Sequence, residues 1–462
     1  MQNTYKTGIL FLLSTLFITG TAFSQNKAAT IDSMIQRSNQ LGLFNGNILV
    51  IDHGKVIYKK AIGYADASKQ IVLTDAYRFH IGSIAKEFNA VGIMMLKEQG
   101  KLSVDDKVSK YLPQLPAWAE KVSIKNLLQY ASGLPDLKWK TIKNDAVAID
   151  SLKRITKLDF EPGTKYAYNN TNTLLQRQII EQITGMTFDD FVAQKMLKPL
   201  KMTRSIVDPG DSTPLMAKSY NNNFVQSPLI SSISGWTATT LDDFYTWQLS
   251  LENFKLISPA STLQILTPFA PNKQCGLGGG SMSGGKLITH QHDGSNLNYQ
   301  ALLTANTPLE RTVILLTNNR QNSLYDINSA IEAILDGKPY QQPKKILITT
   351  LQDKLEILSA PQILAAYNEL KVNHPQDYNF GAESLLNTIG YYLLNKKRVD
   401  DAIVVFEYNV KLFPTSGNLY DSLGEAYYGK GDKANALVNY KRAYELDPTN
   451  DAAKRIIAEL DK

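Results

Sequence analysis

The sequence predicts an α/β domain of the α+β kind, an antiparallel sheet flanked by helices, followed by an all-α helical-repeat domain. Strand-like alternation opens at Gly46 and returns only near 274–317, with helical periodicity between, so the two ends of the first domain should close one sheet. Around 338–348 a Pro-, Gln- and Lys-rich stretch, "GKPYQQPKK", breaks the pattern. Beyond it Gly390, Ala402, Phe406 and Pro414 recur 34 positions later as Gly424, Ala436, Tyr440 and Pro448. The expected layout is a leader over 1–24, a first domain over 25–340 and a repeat domain over 341–462.

The leader comes first. Lys6 is the only charge in the first 24 residues, an apolar run over 9–18 follows, and Ala22-Phe23-Ser24 places small residues ahead of Gln25. The run is about half of the ~20 residues that a spanning helix needs. The expectation is a cleaved signal peptide of a bacterial protein, periplasmic or secreted, with no membrane span after its removal.

From Gly46, "GNILVIDHGKVIYKKAIGYAD" reads as two strands joined by a turn at Asp52-His53-Gly54. Helices are expected near 84–100, 123–131, 170–185 and 187–197. Strands are expected at 274–278, 286–291, 298–305 and 311–317. The lone cysteine, Cys275, should open the first of these, buried and without a catalytic role; a single cysteine forms no internal disulfide. The glycine-rich "GLGGGSMSGGK" lacks the Ser or Thr of a phosphate loop after Lys286 and reads as a hairpin. In the second domain, the 34-residue period with "LGEAYY" and "ELDP" resembles the tetratricopeptide repeat, and a degenerate helix pair should fill 350–375. Small residues at 424 and 436 let paired helices approach, aromatics at 427 and 440 fill the groove, and Pro448 ends the second helix.

Composition narrows function. The chain is 43% hydrophobic and 20% charged, enough for a sizeable core. Its formal charge of +6 is dispersed, without the basic patch of a nucleic-acid or membrane-surface protein.

The chemistry centres on Ser83-Ile84-Ala85-Lys86. On a helix N-terminus, residues three apart share a face, so the ammonium can lie beside the hydroxyl and, with the helix dipole, favour an alkoxide. The stretch "YRFHIGSIAKEFNAVGIMMLKEQGKLSVDDKVSKYLP" resembles the active-site region of the class C β-lactamase-like serine hydrolases, which include penicillin-binding peptidases, D-amino-acid peptidases, esterases and β-lactamases. The resemblance spans about 30–335. Tyr168-Asn169-Asn170 matches the family's Tyr-x-Asn, and His292-Asp293-Gly294 its Lys-x-Gly or His-x-Gly element. It implies Ser83 as nucleophile, Lys86 and Tyr168 sharing the work of base, and Asn170 bonded to Lys86 or the substrate. His292 would complete the catalytic set, Gly294 would border the substrate, and the backbone N–H groups of Ser83 and Ser295 would form the oxyanion hole. Beside Lys86, a Tyr168 phenolate should be stabilised and accept the Ser83 proton.

Two departures bear on substrate. A histidine at 292, where many relatives carry lysine, grips a substrate carboxylate more weakly near neutral pH. Tyr130-Ala131 stands where relatives often have His-Thr. The expected activity is an acyl-enzyme hydrolase acting on an ester or a D-amino-acid-type amide. The alternatives are a β-lactamase or DD-carboxypeptidase, and a non-turnover penicillin-binding-like sensor or repeat-based binding module. No cofactor or metal is implied, although His290 and His292 share a strand face. The partners expected are a small-molecule or peptide substrate and, through the repeats, another protein, but no nucleic acid.

Overall fold

The computed structural model describes residues 26–229, 234–320 and 324–461, so the leader lies outside the described residues. The chain divides into two compact units, the first ending at Gln342 and the second running from Pro343 to Lys462.

The first unit is built on a six-stranded sheet. Its strands are β1 (Gly46–Asp52), β2 (Lys55–Ile62), β6 (Gly279–Ser283), β7 (Lys286–Asn296), β8 (Tyr299–Asn306) and β9 (Arg311–Thr317), in the order β2-β1-β9-β8-β7-β6. All neighbours are antiparallel, and β1 from one end of the unit pairs with β9 from the other. A second, three-stranded sheet joins β3 (Phe79–His80), β5 (Thr237–Thr239) and β4 (Ile206–Val207). The hairpin turns follow from residue chemistry: His53-Gly54 and Gly284-Gly285 all take positive φ, the geometry of a two-residue turn that matches strand twist.

Both faces of the central strands are covered, which is why they read as near-continuous apolar runs. On one face, Ile48 and Val50 of β1 and Val313 and Leu315 of β9 pack with Ile31 and Ile35 of α1 (26–40) and Ile331 of α9 (Leu324–Leu335). On the other, Leu49, Ile51, Ile314 and Leu316 join the larger core with α2 (Lys86–Glu98). That helical side also holds α3 (Ile124–Leu128), α4 (Asp145–Lys153), α5 (Asn170–Thr184), α6 (Phe188–Val192), α7 (Leu241–Glu252) and α8 (Pro259–Leu266).

Two expectations change. Residues 274–278 form a tight turn, not a strand: the Cys275 N–H donates to the Gly278 carbonyl at 2.9 Å and the Gly278 N–H returns to Cys275 at 3.0 Å. Gly278 at φ +67° reverses the chain there, and β6 starts only at Gly279. The helix expected at 123–131 stops at Leu128, because Tyr130 takes a φ of +53°.

The second unit is all helical: α10 (Leu347–Leu355), α11 (Ala360–Asn373), α12 (Ser384–Asn395), α13 (Val399–Leu412), α14 (Gly417–Lys430), α15 (Lys433–Leu446) and α16 (Asp451–Leu460). The repeated positions lie where helices touch. A Cβ on Gly390 of α12 would sit 2.3 Å from the Phe406 ring of α13, and one on Gly424 of α14 would sit 3.2 Å from the Tyr440 ring of α15.

Candidate active site

β3 ends at His80, and Gly82, at φ +56°, swings the chain into a 3-10 turn over Gly82–Ala85 that runs straight into α2. Ser83 and Lys86 therefore stand one turn apart on the same face, and Lys86 Nζ donates to Ser83 Oγ at 2.7 Å. His80 braces the turn: its Nδ1 accepts the Gly82 N–H at 3.0 Å. Burial, assisted by the Lys86 charge, drops the His80 pKa to about 3, so the ring is neutral. Its Nε2 lies 3.2 Å from the Asn296 side-chain amide nitrogen. The Ser83 turn is thus tied to the end of β7.

Two glycines bring β7 against that turn. A Cβ on Gly82 would lie 2.2 Å from the Ser295 nitrogen. One on Gly294 would lie 2.0 Å from the Ile81 carbonyl and 2.7 Å from the Ser83 nitrogen. Only glycine at both positions allows this approach, which carries the backbone nitrogens of Ser83 and Ser295 into one neighbourhood.

Lys86 is only 4% exposed, and its Nζ lies 5.0 Å from the Tyr168 ring centre and 5.2 Å from that of Trp236. Burial lowers its pKa to about 7. Tyr168 is 37% exposed as a residue, yet its hydroxyl end is enclosed, with the Tyr130 ring at 4.5 Å. Enclosure pushes the phenol up to about 12; the Ser83 and Tyr130 hydroxyls oppose the rise, whereas Tyr166 and Asp293 add to it. Lys86 and Tyr168 thus both flank the Ser83 hydroxyl, and burial lowers the pKa of the amine while raising that of the phenol.

Asn170 differs too. Among the described residues its side chain makes no hydrogen bond to Lys86. It is the first residue of α5, and Asn169 does the local bonding, accepting the Asn172 N–H and donating to the Leu134 carbonyl.

His292 is 2% exposed, and its Nδ1 meets Glu87 Oε1 at 2.7 Å. The same carboxylate oxygen takes His290 Nε2 at 3.0 Å, Oε2 takes Trp247 Nε1 at 2.6 Å, and His290 Nδ1 reaches Gln248 at 2.6 Å. The two histidines that share a strand face turn onto one carboxylate. Burial alone would raise the Glu87 carboxyl, but His290 and His292 together hold it well below the usual carboxylate range. Gly278 clears room for the His292 ring, since a Cβ there would stand 2.4 Å from its Cγ. Sequence reasoning missed Glu87, although a signal exists. An acidic residue opening the apolar run "EFNAVGIMML" of a buried helix must find donors, and the strand histidines were the available ones. Cys275 is buried beside this region, its thiol pushed up to about 12 and thereby unreactive.

Residues 31–334 match the protein family described as Beta-lactamase. The chain is 26% identical over 359 residues to penicillin-binding protein 4* of Bacillus subtilis, covering 70% of this chain and 79% of that protein. It is 29% identical over 260 residues to the teichoic acid D-alanine hydrolase of Staphylococcus aureus, covering 54% of this chain and 63% of that protein. Among solved structures, FmtA from Staphylococcus aureus superimposes with a TM-score of 0.57 at 26% identity, over 68% of this chain and 90% of that one.

Proposed function

The chain belongs to the β-lactamase family and is a serine hydrolase, and from that premise we propose that it forms an acyl-enzyme on Ser83 with a neutral ester or a D-amino-acid-type amide. The observation that carries the proposal is the 2.7 Å contact between Ser83 Oγ and a lysine whose pKa burial has brought to about 7. Neutral Lys86 takes the Ser83 proton as Oγ attacks the substrate carbonyl. The oxyanion that forms is held by the backbone N–H groups of Ser83 and Ser295. The Tyr168 hydroxyl, a phenol at about 12, protonates the leaving group, and the proton on Lys86 then returns to the phenolate. Water repeats the sequence on the acyl-enzyme, returning Ser83.

The substrate preference rests on His292. Where many relatives carry lysine, His292 is buried and turns its Nδ1 onto Glu87, so only one ring nitrogen is left for a β-lactam carboxylate. We extend the proposal to place: the charge-poor, apolar leader supports action outside the cytoplasm, and no helix among the described residues is long and apolar enough to cross a membrane. The helix pairs of the second unit, with their 34-residue period, are read as tetratricopeptide-like repeats that dock another protein.

A turnover panel at about pH 7.5 tests the substrate class. Nitrophenyl butyrate and a D-alanyl amide should exceed a chromogenic cephalosporin in kcat/KM by roughly ten- to a hundredfold, the worth of one charge-assisted hydrogen bond. A cephalosporin turned over faster would make the chain a β-lactamase instead.

A further inference from the structure

Three side chains converge on the Glu87 carboxylate, and matching donors to acceptors fixes where their protons sit. Oε2 takes the Trp247 indole N–H at 2.6 Å, while Oε1 meets His292 Nδ1 at 2.7 Å and His290 Nε2 at 3.0 Å. The other His290 nitrogen, Nδ1, faces the Gln248 side-chain oxygen at 2.6 Å. That amide is held in this orientation, because its nitrogen donates to Glu252 Oε1 at 2.9 Å and the reverse would set oxygen against oxygen. The partners of the His290 ring, the Leu277 carbonyl at 3.2 Å included, are therefore all acceptors. Both of its nitrogens donate, and the ring is an imidazolium.

Charge balance then settles His292. Glu87 is fully buried and His290 is 1% exposed, so the two form one neutral ion pair away from water. A second imidazolium at His292 would leave an unbalanced positive charge on a carboxylate already paired. His292 is neutral, and since its Nδ1 faces a carboxylate oxygen, that nitrogen holds the proton and Nε2 holds a lone pair. Nε2 makes no hydrogen bond to any described residue.

Position links this nitrogen to the nucleophile. Residues 290, 292 and 294 share one face of β7, and a Cβ on Gly294 would stand 2.7 Å from the Ser83 nitrogen. His292 is one same-face step away, about 7 Å along the strand. Glu87 itself directly follows Lys86 on α2.

We propose that Glu87 is a positioning residue that holds His292 with its proton on Nδ1, so that Nε2 presents a lone pair to the substrate. Position 292 then selects groups that donate a hydrogen bond, an amide N–H or a hydroxyl, over carboxylates. The inference rests on the acyl-enzyme reading of Ser83 and deepens it.

Two measurements on the full-length chain test it. Nitrogen-15 NMR of histidine-labelled protein near neutral pH reads the protons directly, with the two rings assigned through His290→Gln and His292→Gln. The expected result is His292 protonated on Nδ1 alone and His290 on both nitrogens. A His292 proton on Nε2, or on both nitrogens, overturns the inference. The second measurement compares mono-4-nitrophenyl adipate, which ends in a carboxylate, with 4-nitrophenyl adipamate, its isosteric primary amide. Nitrophenyl butyrate reports acyl transfer. The amide should exceed the acid in kcat/KM roughly tenfold. In Glu87→Gln the new amide can donate to Nδ1, the ring proton moves to Nε2, and the ratio should fall toward one. If Glu87 only braces the fold, both rates fall together, and an unchanged ratio in the folded variant overturns the inference. Where that variant does not fold, the NMR result on the wild type decides. A wild type that cleaves the butyrate but prefers the acid also overturns it, leaving the acyl-enzyme reading standing. A chain that cleaves none of the three esters refutes both.

Discussion

The proposed role of Lys86 as general base makes a prediction about pH. A general base works deprotonated, so with a pKa of about 7 its active fraction grows tenfold per pH unit below that value and saturates above it. We expect kcat/KM for an uncharged nitrophenyl ester to rise with a midpoint near 7 and to level off by about pH 9. A profile flat from about pH 5 to 8, or one rising only above about pH 9, would remove Lys86 from that role. The pairing of Ser83 with Lys86 was legible because helical spacing alone brings them together. The opposite pKa shifts of Lys86 and Tyr168 were not, since they depend on how far each group is shut away from water, which no local pattern encodes. Glu87 belongs to the same class of hidden residue. Its carboxylate, fully buried, is the common acceptor for His290, His292 and Trp247. Glu87→Ala strands three donors and should cost about 3–5 kcal/mol of stability, measured by urea unfolding. A loss under about 1 kcal/mol would mean that the network closes without it.

Among the elements, β7 does the most for the site, because its glycine at 294 lets a strand lie against the turn that carries Ser83. Gly294→Ala places a methyl 2.0 Å from the Ile81 carbonyl and must push β7 away from Ser83. The expected outcome is loss of most esterase activity, about 10²–10³-fold for one disabled oxyanion donor, in a protein whose circular dichroism is unchanged. Retention of activity within about threefold would show that the Ser83 and Ser295 nitrogens do not act as a pair. Strand legibility varied for a physical reason. β9 is apolar on both faces and matched its expected limits, 311–317. The segment 274–278, also expected as a strand, carries two glycines, and Gly278 takes positive φ and turns the chain instead. β7 was expected to end at 291 and continues to Asn296, since "HDGSN" lacks the β-branched residues that advertise a strand.

At the scale of the whole molecule, closure of the sheet by the two ends of the first unit could be anticipated from where the apolar runs fall, and β1 does pair with β9. The meeting of Ser83 with Gly294 and Ser295 could not, because it depends on packing between segments far apart in sequence. In the second unit the repeat was visible because each repeated glycine answers to an aromatic ring, Phe406 for Gly390 and Tyr440 for Gly424. The central claim concerns one covalent bond. The most direct test is to treat the full-length chain with a fluorophosphonate and map the adduct by peptide mass spectrometry, in wild type and in Ser83→Ala. The account predicts a single adduct on Ser83 in the wild type and none in the variant. An adduct that persists in Ser83→Ala on another serine, or a wild-type Ser83 peptide recovered unmodified, would contradict it.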